Sequence, residues 1–233
     1  MLFDLRGRGR RRTVQVIYLG LAILMGGGLV LFGIGGGTNG GLFDAINGNG
    51  GGGGTSVNTL YKQRLDALNK RVQANPADAA ALAGLAKLHF ENAGTGDNFN
   101  QSQQGYTAKG LTELRNASDS WQRYLALDPK KPDLDAATEM TTAYGPAGLK
   151  QYDKAVASLE MVMADRKESA ANYAQLAILA AGAKQTRKSD LAEKKAIALA
   201  PKDQRKQLKS DIDLQKSQIT STQTGQSTTA PSG

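Results

Sequence analysis

The sequence predicts an all-α protein made of an N-terminal transmembrane helix, a flexible glycine-rich linker, a solenoid of stacked helical hairpins and a disordered tail. Three observations carry this. Residues 14–34 contain no charged side chain, a run long enough to cross one bilayer as a helix. Between Pro76 and Pro201, apolar residues recur at i, i+3, i+4 and i+7 in paired blocks bounded by prolines, the pattern of two-helix hairpins that each carry one apolar side. A lone hairpin cannot hide that side from water, so neighbours stack on it and leave a groove. Among 233 residues there is no cysteine and one histidine, His89. Disulfides, thiolate zinc sites, cysteine nucleophiles and any histidine cluster within one chain are thereby excluded.

Residues 1–12 form a basic segment in which Arg6, Arg8, Arg10, Arg11 and Arg12, set against Asp4, supply half of the net charge of +8. The other half is spread over a region rich in both signs, the mark of a solvated surface rather than of a nucleic-acid stripe. Residues 13–34 read as the membrane span: twelve of residues 14–34 are Leu, Ile, Val or Phe, and at about 0.3–0.6 kcal/mol each they favour insertion by a few kcal/mol. Gly20, Gly26, Gly27, Gly28 and Gly33 reduce that margin. The arginines precede the span and the first basic residue after it is Lys62, so the N-terminus is expected in the cytoplasm and the remainder outside it. The apolar run exceeds a usual signal-peptide core and no Ala-x-Ala-like site follows it, so it reads as an uncleaved signal anchor.

Residues 35–56 form the linker; eleven of residues 35–54 are glycine, and such a coil spans about 25 Å root-mean-square. These glycines lack a Gly-Lys-Ser/Thr ending and a flanking strand, so they are not a phosphate-binding loop. Residues 57–216 are the helical domain. Leu60, Leu65, Leu68 and Val72 place a lead-in helix over Thr59–Ala74, stopped by Asn75-Pro76. Asp78 is suited to cap a second helix, Ala79–Asn92.

The run from Ala81 to Phe90 resembles the first helix of a tetratricopeptide repeat (TPR), with Leu82, Leu85, Ala86 and His89 at the motif positions. Ala117, Trp121 and Pro129 match the second helix, with Tyr124 where a small residue belongs, a departure that predicts a loosened hairpin. A second unit runs through Met140, Thr141 and Tyr144, turns at Gly145-Pro146-Ala147-Gly148, and returns through Tyr152, Ala155, Leu159 and Val162. A third uses Tyr173, Leu176, Ala177 and Ala180, then Ser189, Glu193, Ala196 and Pro201. Gln204–Lys216, with Leu208, Ile212 and Leu214 on one side, resembles the solvating helix that caps such arrays. Pro76 to Pro129 is 53 residues, one repeat of about 34 plus an insertion of about 19. That insertion, near residues 94–110, is expected as a loop or an irregular helix start. Residues 217–233, uncharged and rich in Ser, Thr, Gln and Gly, are expected to be disordered.

Chemistry-bearing residues are sparse. His89 and Trp121 occupy packing positions, and Asp133, Asp135 and Glu139 suit the start of a helix by its dipole. No cofactor and no catalytic residue are assigned. The resemblance implies a groove lined by the first helix of each unit, offering Ala80, Ala83, Lys87 and Phe90, then Asp135, Thr138, Glu139 and Thr142, then Ala174 and Ile178. Lys87 is its one cation and the wall is mild and partly apolar, so it suits an extended or partly unfolded segment of another protein better than an acidic tail. The reading is a membrane-anchored adaptor or chaperone-like holder in the bacterial envelope, not an enzyme, with lipid contacted through residues 13–34. The alternatives are a cell-wall hydrolase, which would need paired carboxylates in a cleft, and a basic module for anionic polymers or lipids.

Overall fold

The computed structural model describes residues 57–226, which belong to one compact unit. The expected cytoplasmic segment, membrane span and linker, and the last residues of the tail, lie outside the described residues. The described chain is all-helical apart from one small hairpin. Among the described residues no helix is long and apolar enough to cross a membrane.

Helix α1 (Val57–Ala74) is followed by α2 (Ala79–Ala93), and the break between them is held by a single carboxylate. Asp78 accepts the Ala81 N–H at 2.9 Å as the cap of α2, and Arg71 on α1 grips the same side chain through Nε and a terminal nitrogen, each at 3.0 Å. The Ala81 N–H first, helped by Arg71, holds the Asp78 carboxyl below its usual range against an opposing effect of desolvation. Helix α3 (Ala108–Leu125), capped by Thr107, packs back on α2 and completes the first pair. The insertion between α2 and α3 is folded rather than irregular: a 3-10 turn at Gly96–Asn98 leads into strands β1 (Phe99–Asn100) and β2 (Gly105–Tyr106), with Phe99 opposite Tyr106. Those two rings meet edge to face at 5.4 Å.

Helices α4 (Leu134–Tyr144) and α5 (Tyr152–Asp165) form the next pair, capped at α4 by Asp133. Their turn is close: a Cβ at Gly148 would lie 2.1 Å from the Ala143 carbonyl oxygen, which no side-chain-bearing residue tolerates. Helices α6 (Ala170–Gly182) and α7 (Thr186–Leu199) make the third pair, and α8 (Arg205–Gln226) lies against both. The most extensive contacts join α2 to α3, α4 to α5 and α6 to α7, and α2 also touches α4 and α5 touches α6. One core therefore runs through all of them, from Leu82 and Trp121 to Tyr144, Val156, Leu179 and Ile212.

Three further expectations are corrected. Tyr124 does not loosen its hairpin; it is buried, stacks on Trp121 at 4.8 Å, and its hydroxyl accepts the Asp133 N–H at 2.7 Å, joining α3 to the start of α4. Leu214 does not share a side with Ile212, since two residues turn an α-helix by about 200°; Ile212 is buried and Leu214 is 58% exposed. The third concerns the tail, of which residues 217–226 continue α8 as helix. The reason is tertiary: Ile219 is buried against Gly182, where a Cβ would come within 2.6 Å of the Tyr152 ring and 2.9 Å of Ile219. Ile219→Ala is accordingly expected to cost about 2 kcal/mol, read as a lower urea midpoint of the full chain. An unchanged midpoint would mean that the end of α8 contributes nothing to the fold.

Candidate functional site

The groove wall expected from the sequence maps onto α2, α4 and α6. Ala83 and Ala174 are buried in the core and are not offered to a partner. Lys87, Phe90, Thr138, Thr142 and Ile178 are half-buried, and Phe90 and Ile178 pack their rings and branches against the core. Thr138 turns its hydroxyl back to the Leu134 carbonyl at 2.7 Å, a bond within its own helix. Helices α2 and α4 bring the Lys87 and Thr138 groups to one seam, whereas Ala174 and Ile178 sit on α6, whose main contacts are with α5, α7 and α8.

At that seam the electrostatics differ from the mild wall read from the sequence. Lys87 Nζ lies 2.9 Å from Asp133 Oδ2, across 46 residues of chain. Burial alone would lower the Lys87 pKa, but the bond and charge of Asp133, with Glu139 and Asp135 behind it, raise it overall. Asp133 is moved the other way: burial opposes its charge, yet the Ala136 N–H and Lys87 hold the carboxyl below its usual value. The one cation of the wall is thus already neutralised.

Glu139 has no such partner. Its Oε2 is enclosed without a hydrogen bond, and burial first, then the Glu91, Asp133 and Asp135 charges, push its pKa up to about 8 against the pull of Lys87. The seam is therefore a strip of one paired cation and several carboxyls, one of them neutral at pH 7. Glu91 and Asp133 were not among the expected wall residues. A signal for Glu91 exists in the sequence, since it follows Lys87 by four positions on one helix face; Asp133 reaches Lys87 only through the tertiary fold.

His89 is likewise more than packing. Its Nδ1 lies 2.6 Å from Glu113 Oε2, and the Tyr61 hydroxyl donates to the same carboxylate oxygen at 3.1 Å. The His89 and Glu113 side chains are only 12% and 20% exposed. Burial, then the Glu113 charge, raises the Tyr61 pKa and keeps the hydroxyl a donor. The cluster draws on α1, α2 and α3 at once and serves as a polar staple that holds the lead-in helix to the first hairpin.

Among the described residues there is no group of three or more metal-ligating side chains. Asp133, Asp135 and Glu139 do not converge on a cation position, because Asp133 is committed to its cap and to Lys87. A hollow of about 700 Å³ lies away from this seam, between α6 and α7. No family model matches the sequence, and no curated protein or solved structure matches it either.

Proposed function

We propose that the chain is a single-pass, membrane-anchored protein of tetratricopeptide type whose helical domain lies outside the cytoplasm and binds other proteins as a scaffold or chaperone-like holder. Residues 13–34 serve as the signal anchor, residues 35–56 as a tether, and the hairpins as the working part. It does no bond chemistry. The observation that carries the reading is the packing of the described chain into consecutive helix pairs, α2 with α3, α4 with α5 and α6 with α7, whose first members supply the proposed wall. Each pair coincides with one of the three units in the sequence, and α8 covers the last of them as a capping helix would.

The test is site-specific photocrosslinking in intact membranes from Phe90 on α2 and Asp135 on α4, the latter exposed to solvent. Discrete protein adducts that depend on the position of the probe are expected. Adducts with lipid alone, or none, together with normal behaviour of both variants, would remove the basis for a scaffold. Protease added to spheroplasts checks the orientation: the helical domain is expected to be digested, and its protection would reverse the topology.

A further inference from the structure

The hollow between α6 and α7 faces away from the wall. Tyr173 and Leu176 of α6, which line it, stand roughly 150° around the helix from Ala174 and Ile178 at about 100° per residue. Its apolar surface is completed from α7 by Ala192 and by Leu191, which is 58% exposed. Leu191 thus stands in water beside a shallow, open depression lined by apolar side chains, and an apolar group laid there would cover it.

The margin of the hollow carries Arg187, Lys188 and Lys195. Two of these are already satisfied. Lys188 lies 2.6 Å from Glu160, and Lys195 lies 3.0 Å from Glu168 and 5.7 Å over the Tyr173 ring. The Tyr173 hydroxyl donates to the same Glu168 at 2.8 Å, which stiffens that side of the rim. Arg187 is exposed and makes no ion pair or hydrogen bond among the described residues. The rim therefore offers one uncommitted guanidinium flanked by carboxylates that would repel a polyanion. A lipid surface or a nucleic acid presents many negative charges in a plane and would meet Glu160 and Glu168 with the cations. One carboxylate matches one planar fork of donors.

We propose that this hollow docks a peptide segment of a partner protein in which a large apolar side chain stands next to a single carboxylate, the apolar group entering beside Leu191 and the carboxylate pairing with Arg187. The inference rests on the reading of the chain as a protein-binding scaffold but places a contact on a different face of α6 from the wall.

The test uses the full chain in mild detergent and the fluorescein-labelled peptide Gly-Ser-Leu-Phe-Asp-Ser-Gly-amide as probe, with an Asn-for-Asp version beside it, both read by fluorescence anisotropy. Saturable binding of the Asp probe is expected, with the Asn probe weaker by about threefold, the worth of one solvent-exposed charge pair. Arg187→Gln is expected to erase that difference, and Leu191→Ser to weaken both probes; both residues are exposed, so the fold is retained. Phe90→Ala leaves both probes unaffected, which separates this site from the wall. Equal affinity for the two probes, no saturable binding, or an Asp preference that survives Arg187→Gln overturns the proposal. Displacement of the probe by soluble dihexanoyl phosphatidylglycerol in an Arg187-dependent manner would reassign the hollow to a lipid headgroup. Adducts from Phe90 without probe binding would leave the scaffold standing and sink this site alone.

Discussion

Trp121→Ala is expected to lower the unfolding free energy of the helical domain by about 3–5 kcal/mol, the usual cost of emptying a large aromatic site in a core. Set against a total stability of about 5–15 kcal/mol, that loss leaves the domain marginal. Trp121 has no exposed surface, stacks on Tyr124 with the rings 19° apart, and sits where α3 meets α2. Its indole N–H is enclosed without a hydrogen-bond partner. An unpaired donor of this kind is itself a burden of about 1–3 kcal/mol, so the residue is retained for its volume and its stacking alone. Trp121→Phe, which deletes the N–H and keeps a ring, is therefore expected to cost much less than Trp121→Ala. Urea unfolding followed by circular dichroism compares them, since the sole tryptophan is lost in both. Equal destabilisation by Phe and Ala would show that the N–H, not the packing, is what the site requires.

Between pH 5 and 9 the helical domain is expected to lose stability because of Glu139. In the unfolded chain this carboxyl ionises near 4.5, whereas in the folded chain burial holds the proton until about pH 8. Over that interval the unfolded state binds fewer protons than the folded one, so stability falls as pH rises. The contribution is complete below about pH 4.5 and gone above about pH 8, and its size is on the order of a few kcal/mol. Asp78 and Asp133, held low, act with the opposite sign and in a more acidic range: their stabilisation is present above their unfolded pKa and lost as the pH falls through their folded values. Glu139→Gln mimics the protonated side chain at every pH. Its urea midpoint should match that of the parent at pH 5 and exceed it increasingly at pH 7 and pH 9. Parallel profiles for the two proteins across this range would mean that the α2–α4 seam admits enough water to let Glu139 ionise normally.

The legible part of the structure is the part governed by local rules. Asp78 as a cap, Pro76 as a stop, and the 3.6-residue recurrence of Leu82, Leu85, Ala86 and of Tyr173, Leu176, Ala177 are visible in the chain because each involves neighbours within one or two turns. The short connection between α6 and α7 predicts their pairing, whereas α2 and α3 pair across the folded insertion between them. The same rules failed where a distant group set the outcome. Tyr124 looks too large for its place until the Asp133 N–H is available to its hydroxyl. The stretch around Ile219 is polar enough to be written off as tail, and one isoleucine facing Gly182 and Tyr152 keeps it helical.

For the candidate wall the division is sharper. Residue types and helix faces were readable, so Lys87, Phe90, Thr138 and Ile178 could be named from periodicity and resemblance. Accessibility was not, since Ala83 and Ala174 vanish into the core only when other helices arrive. Nor was charge state, because Lys87 meets Asp133 across 46 residues and Glu139 is walled in by groups from two helices. The sequence by itself determined that the described domain is helical, where α1 stops and α2 begins, and that each helix needs a neighbour to cover its apolar side. Which polar groups are neutralised, which are buried without a partner, and which hollow stays open were decided by tertiary packing, because burial and desolvation are properties of what surrounds a residue rather than of the residue itself.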